Sequence, residues 1–352
     1  MIRSREVTTF YPAISTMAAS ARGKVVYVAS AVPGLFSHIK RLLPNAPTVQ
    51  IDQQLFQDGL VTDELKLQIK DAEILVADPP LIGELLYVND LKLKLVNSTW
   101  AGVNVMMGKL DPTLGQPKFH LTRTGEGFGQ IMGEYVVGHI IATERRFKET
   151  YSKQKEHEWA QKSLKTFRPL TSVNIGILGL GIIGNEVARM CKCMGITVTG
   201  IKRQDSTSPP SQNVDNYGFL ENLADVLPQL DYLCSILPST PQTKNLLSGD
   251  ILSHCKTKKP VFINIGRGDV IDEDSLVKAI KCEWIGGAIL DVFNQEPLPT
   301  TSELWDLPNV TITPHVSGPS LPEKVAECFV DNYKRYINGE QLKYQVDWIK
   351  GY

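Results

Sequence analysis

From Lys24 onward, short apolar runs rich in β-branched residues alternate with stretches whose apolar positions recur every three to four residues. KVVYVAS (24–30), TVQI (48–51), ILVADPP (74–80), KLVNST (94–99) and FHLT (119–122) read as buried strands of roughly four to seven residues. The segments between them, such as GLFSHIKRLL and LVTDELKLQIKDA, carry helical spacing. That alternation is the signature of βαβ units and a parallel sheet. A long helical segment is expected from about Met132 to Trp159, apolar at its start and charged in KETYSKQKEHEW, suited to joining two domains.

After Pro169 a second series begins. NIGILGLG, ITVTGIK, YLCSILP, VFINIG, GAILDVF and VTITP are candidate strands, with helical intervals between most of them. A final helix, about Pro322 to Asn338, has no further strand to serve and is expected to cross back onto the first series. The pattern predicts an α/β protein of two doubly wound parallel-sheet domains. One comprises residues 24–125 with 318–352, the other residues 126–317, and residues 1–23 form an N-terminal extension.

At 352 residues the chain exceeds the size at which single cores stop growing. A 42% hydrophobic and 21% charged composition with net charge −1 is that of an ordinary globular protein. Such a balance gives no broad electrostatic footprint for nucleic acid or anionic membrane, and no apolar run approaches a membrane span. The six cysteines lack a framework spacing; Cys191 and Cys193 lie within a helical pattern with no second pair. The thiols therefore read as reduced, buried small hydrophobes, and no metal site is expected. Residues 1–23 are rich in Ser, Thr and Ala, with Arg3, Arg5 and Arg22 against the single acid Glu6. Two readings stand: a mitochondrial transit segment, or a loose extension with Met17 as an alternative start. The expected location is cytoplasmic, with mitochondrial as the alternative.

The chemistry begins where NIGILGLG runs into Gly179, Gly181 and Gly184 and then a helical segment. Gly179 permits a tight turn, Gly181 lets backbone approach a pyrophosphate, and Gly184 allows close helix–strand contact. The free amides at the helix start, from Ile182 and Ile183, face the phosphates. At the end of the following strand, an NAD-specific site has an acid to accept from the ribose 2′-hydroxyl. Here stand Lys202 and Arg203, which suit a 2′-phosphate and favour NADP over NAD.

Three further residues follow later strands: Arg267 after VFINIG, Glu296 after GAILDVF and His315 after VTITP. Singly, they read as a turn cation, a surface carboxylate and a packed or solvated imidazole. Parallel doubly wound sheets, however, bind ligands outside the carboxyl ends of their strands, so topology directs all three to the crevice of the glycine turn. Reducing a 2-oxo acid requires a cation for the carboxylate and a proton donor for the developing alkoxide. Arg267 offers a planar fork of donors, and His315, kept charged by Glu296, is an acid near neutral pH.

With GILGLGIIG, LPSTPQTKNLL, INIGRGDVIDEDSL, AILDVFNQEPLP and NVTITPHVSG in this order, the chain from Lys24 to Asn338 resembles the D-isomer-specific 2-hydroxyacid dehydrogenases, which include glyoxylate/hydroxypyruvate reductases. The resemblance implies a Rossmann NAD(P)-binding domain inserted in a flavodoxin-like substrate domain. It implies that Arg267 orients substrate, that His315 is the acid–base and that Glu296 is its partner. It further implies cofactor contacts at Leu237, Pro238, Thr240, Ile265, Gly266 and Ser317, beside His315 itself. Asp291 resembles the contact to the nicotinamide carboxamide. In WAGVN, the backbone of Ala101, Gly102 and Val103 resembles the loop that holds the substrate carboxylate. Family members are usually homodimers. Trp100 departs from the small residue often found before that loop, Lys202 and Arg203 resemble the NADP-using branch, and GEGFGQIMGEYVVGH is less typical. Glu296 argues against formate oxidation. A dinucleotide-sensing protein akin to corepressors of the same architecture is the alternative to an enzyme.

Overall fold

The computed structural model describes residues 23–56, 61–205 and 209–351, so residues 1–22 and both readings of them lie outside the described residues. A first sheet is built from β1 (Val26–Ala29), β2 (Thr48–Gln50), β3 (Ile74–Ala77), β4 (Leu95–Ser98) and β5 (His120–Arg123). Helices α1 (Leu35–Leu42), α2 (Asp63–Ile69), α3 (Pro79–Leu85) and α4 (Asn104–Met107) lie between these strands. All neighbours run parallel in the order β2-β1-β3-β4-β5, the flavodoxin-like order. Every residue of β3 and β4 is buried, as a central parallel strand covered on both faces requires. Local chemistry sets the ends: Thr62 Oγ1 accepts the Leu65 amide at 3.1 Å to start α2, with Asp63 and Glu64 in its first turn.

Three helices connect to the second sheet: α5 (Phe128–Glu144), α6 (Phe147–Lys155) and α7 (Gln161–Leu164). The single helix expected over 132–159 is therefore broken. Arg146 adopts φ 53, a left-handed conformation that stops α5 without glycine or proline. The apolar start of α5 is buried as expected, whereas α6 buries no residue.

The second sheet holds β6 (Asn174–Leu178), β7 (Thr197–Lys202), β8 (Asn216–Phe219), β9 (Tyr232–Ser235), β10 (Val261–Asn264), β11 (Gly287–Leu290) and β12 (Val310–Ile312). It is parallel throughout in the order β12-β11-β10-β9-β6-β7-β8, a Rossmann order with its switch point between β6 and β9. The edge strand β8 was not among the expected strands. Helices α8 (Ile182–Cys193), α9 (Leu223–Val226) and α10 (Glu273–Lys281) follow in the chain. The last helix, α11 (Pro322–Asn338), has the expected bounds, with Pro322 at its start and Gly339 at φ 70 beyond its end. It returns to the first sheet, where Val325, Ala326, Phe329 and Tyr333 share a core with Val26, Ile39, Val76 and Leu95.

Below the second sheet, Arg168 donates to both oxygens of buried Glu144 and, at 2.7 Å, to buried Asp231. Tyr232 Oη donates to Glu144 at 2.8 Å, and Lys258 reaches Asp231 at 3.3 Å. This network ties the end of α5 to the starts of β6 and β9. Of the cysteines, Cys191, Cys234, Cys255 and Cys328 are buried, but Cys193 and Cys282 are exposed, which corrects the expectation of uniform burial. The helical stripe of α8 explains Cys193: it lies two positions from Cys191, on the opposite side of the helix. No helix among the described residues is long and apolar enough to cross a membrane.

Candidate active site

The glycine turn has the geometry its spacing predicts. Gly179 takes φ 99, a conformation glycine adopts without strain. A Cβ on Gly184 would sit 1.9 Å from the Gly179 carbonyl oxygen, so only glycine lets α8 start this close to β6. At Gly181 an added Cβ would meet nothing within 4 Å, leaving the backbone open to a ligand. Ile182 and Ile183 begin the twelve-residue helix α8, whose N-terminus presents amides and partial positive charge there. Asn185 braces the turn by donating to the carbonyls of Leu180 at 2.6 Å and Gly181 at 3.0 Å. These features fit a dinucleotide pyrophosphate.

At the end of β7, Lys202 Nζ lies 4.9 Å from the centre of the Tyr217 ring, and Arg203 reaches only Asp205, at 3.6 Å. Lys202 thus has no carboxylate partner among the described residues, Arg203 has the exposed Asp205, and Glu221 accepts the Gln204 amide to hold the turn after them. After β9, Leu237 and Pro238 lead into a turn in which Thr243 Oγ1 accepts the Thr240 amide at 2.9 Å. Leu237 packs so tightly on Gly266 that a Cβ there would approach its backbone to 2.7 Å. Buried Ile265 fixes the same turn.

Arg267 crosses from the second sheet to the first. Its Nε donates to Asn104 Oδ1 at 2.9 Å and its Nη1 to the Gly266 carbonyl at 2.6 Å. A Cβ on Gly102 would fall 1.7 Å from Arg267 Nη2, so the guanidinium lies directly against the 101–103 backbone. Burial lowers its pKa from the usual arginine value, opposed by Glu296 and Asp269, and it stays cationic. The amides of Gly102 and Val103 have no acceptor among the described residues. Ala101 packs toward the core of the second sheet, and Trp100, 40% exposed, keeps its ring at the surface of the same turn.

His315 Nδ1 lies 2.7 Å from Glu296 Oε2, while Glu296 Oε1 accepts the Phe293 amide at 2.9 Å. The hydrogen bond that His315 donates to Glu296 raises its pKa above the ordinary imidazole value, against burial and the Arg267 charge. Burial is the largest influence on Glu296 and opposes its charge. The bonds from His315 and Phe293, with the charges of His315 and Arg267, nevertheless hold its carboxyl below the usual range. Asp291, fully buried, accepts the amides of Val316 and Ser317 and the hydroxyl of Thr313.

The structure thus brings together Arg267, Glu296, His315, Asp291 and the 101–103 backbone, and sets Lys202 and Arg203 apart at the end of β7. Sequence reasoning missed Asn104, Asn185, Thr313 and Tyr135, whose Oη lies 2.7 Å from Thr313 Oγ1. The quoted runs WAGVN and NVTITPHVSG contain Asn104 and Thr313 without assigning them a role; those two and Tyr135 act through contacts between distant segments, whereas Asn185 acts within its own turn.

Residues 137–317 match the model of the D-isomer specific 2-hydroxyacid dehydrogenase NAD binding domain. A glyoxylate/hydroxypyruvate reductase A from Escherichia fergusonii is 32% identical over 263 residues, covering 74% of this chain and 82% of that protein. The chain belongs to the D-isomer-specific 2-hydroxyacid dehydrogenases. Among solved structures of this family, one from Aeromonas salmonicida superposes with a TM-score of 0.79 at 33% identity, covering 92% of this chain and 99% of that one. A Xanthobacter autotrophicus dehydrogenase in complex with NADPH and MES gives a TM-score of 0.79 at 29% identity, over 94% and 100% of the two chains. An NADPH-dependent glyoxylate/hydroxypyruvate reductase from Sinorhizobium meliloti, in complex with NADP and sulfate, gives 0.76 at 26% identity, with coverage of 94% and 100%. This dehydrogenase is therefore an NAD(P)-dependent oxidoreductase acting between 2-oxo acids and D-2-hydroxy acids. These relatives do not support the corepressor-like alternative.

Proposed function

We propose that this dehydrogenase works as an NADPH-preferring reductase of glyoxylate, hydroxypyruvate or a somewhat larger 2-oxo acid. The observation that carries the reading is Arg267, which leaves the second sheet to rest on Asn104 and Gly102 of the first, beside the His315–Glu296 pair. Arg267 and the Gly102 and Val103 amides would bind the substrate carboxylate, and Arg267 would also polarise the 2-oxo group. The bound nicotinamide supplies the hydride to the carbonyl carbon. His315 gives its proton to the carbonyl oxygen, becomes neutral, and recovers a proton from solvent, its side chain being 51% exposed. Glu296 keeps the imidazole oriented and charged before that step. Trp100 would border the substrate's variable end. Leu237, Pro238, Thr240, Ile265, Gly266, Asp291 and Ser317 would line the cofactor, with Lys202 and Arg203 on its 2′-phosphate.

The same reading takes residues 24–125 with 318–352 as the substrate domain and 126–317 as the dinucleotide-binding domain. It takes the chain as a homodimer, supported by the exposed aromatics Phe147, Tyr151 and Trp159, the last 89% exposed. The deciding experiment follows absorbance of the reduced nicotinamide with purified protein, each 2-oxo acid and each cofactor. Rapid NADPH oxidation with glyoxylate or hydroxypyruvate is expected. Absence of turnover across a panel of 2-oxo acids, despite cofactor binding, would reject the reading. Light scattering during size-exclusion chromatography tests the dimer, and a monomer mass would reject it.

A further inference from the structure

The histidine at the centre of this site occupies a strained backbone position. His315 takes φ 54, a region a non-glycine residue enters only when its surroundings enforce it. One buried carboxylate does the enforcing. Asp291 Oδ1 accepts the Val316 amide at 2.8 Å and Thr313 Oγ1 at 2.5 Å, and Oδ2 accepts the Ser317 amide at 2.9 Å. The Asp291 carbonyl takes the amide of His315 itself at 2.9 Å.

The direction of the next hydrogen bond follows from counting protons. A threonine hydroxyl carries one proton and an ionised carboxylate only accepts, so Thr313 donates to Asp291. Tyr135 Oη, 2.7 Å from Thr313 Oγ1, is then the donor to Thr313. A one-way chain therefore runs from α5 through Tyr135 and Thr313 to the carboxylate that folds the loop on both sides of His315. The Tyr135 ring is held 4.3 Å from the ring of His139, one helical turn on. Burial raises the Tyr135 pKa to about 12, so it remains a donor throughout the neutral range.

We infer that Tyr135 is a positioning residue for His315, acting through Thr313 and Asp291 without touching substrate or cofactor. The inference rests on the reading of His315 as the proton donor. The groups that bear on the His315 charge are Glu296, Arg267 and Asp291; those around Tyr135 are Asp291, Cys234 and His139. When the Tyr135 donor is removed, the Asp291 clamp loosens and the His315–Glu296 bond with it.

The test compares Tyr135→Phe, Thr313→Val and Thr313→Ser, each assayed for kcat and KM and each titrated by NMR at the His315 Cε1–H, assigned by its loss in His315→Asn. Tyr135→Phe and Thr313→Val are each expected to lower kcat about tenfold, with the 2-oxo acid KM within about twofold. The double variant should be no worse than Thr313→Val alone, because one chain is broken once. Thr313→Ser, which keeps the hydroxyl, should restore the rate. In Tyr135→Phe, His315 should titrate at lower pH than in the wild type. A purely structural role would lower the melting temperature and leave that titration in place. Wild-type kcat and an unmoved titration in Tyr135→Phe would overturn the inference. If the wild type turns over no 2-oxo acid, the proposed function fails, and the titration still decides: a displaced curve supports the relay and an unmoved one rejects it.

Discussion

Replacing Lys202 and Arg203 together by alanine removes both cations from the end of β7, and the loss should fall on NADPH alone. A charge-assisted hydrogen bond contributes about 1.5–3 kcal/mol. Neither cation is deeply enclosed: the Arg203 side chain is 57% exposed, and Lys202 rides over the Tyr217 ring. Solvent screening takes each contribution to the low end, ~1.5 kcal/mol, or roughly tenfold per cation. The residues are adjacent and would share one phosphate, so their effects fall short of additive. The double variant is expected to lose ~30–100-fold in kcat/KM for NADPH. NADH, with a hydroxyl in place of the phosphate, should change less than about threefold. The assay is initial rate against cofactor concentration at saturating 2-oxo acid, repeated at low and high salt. Added salt should narrow the NADPH gap between wild type and variant, because these charges are exposed. Parallel losses for both cofactors, or none for either, would refute the 2′-phosphate reading.

Four further outcomes are expected. His315→Ala should lower kcat by ~10²–10⁴ while leaving the NADPH Kd, read by fluorescence, near normal; unchanged turnover would remove the histidine from the reaction. Since Glu296 holds His315 charged to higher pH than an ordinary imidazole, reduction should fall as pH rises through that elevated value, with oxidation rising over the same window. Glu296→Gln should move both limbs to lower pH, and stationary limbs would contradict the pairing. Gly102→Ala should displace Arg267 and raise the 2-oxo acid KM about tenfold or more without changing NADPH affinity; a normal KM would show that the guanidinium does not need that position. Arg168→Leu should destabilise the fold by about 3 kcal/mol, since buried Glu144 loses its cation. A denaturation midpoint equal to the wild type would show the network to be dispensable.

Much of the architecture was legible because buried parallel strands concentrate branched apolar residues, as in ILVA of β3 and GAIL of β11. The strand β8 was not, because NYGF is an edge strand whose one buried residue is a glycine. The break after α5 was equally silent: Arg146 enters the left-handed region without any residue that ordinarily announces it. At the site, Arg267, Glu296 and His315 were readable because strand ends converge on one crevice. Asn104 and Tyr135 were not, since an asparagine opening a short helix and a tyrosine in an apolar run look local. Their partners lie 163 and 178 residues away in the chain.

The return of α11 also sets an order of events during synthesis. Strands β6 to β12 and their helices are contiguous, so the ribosome releases that whole sheet before residue 322 appears. The first sheet emerges earlier, yet the core that Val26, Val28 and Val76 share with Leu35 and Ile39 of α1 keeps one face uncovered until Phe329 and Tyr333 arrive. While the second half is translated, that uncovered face is a surface for chaperones or for misassociation with other nascent chains. The half made first is the half finished last.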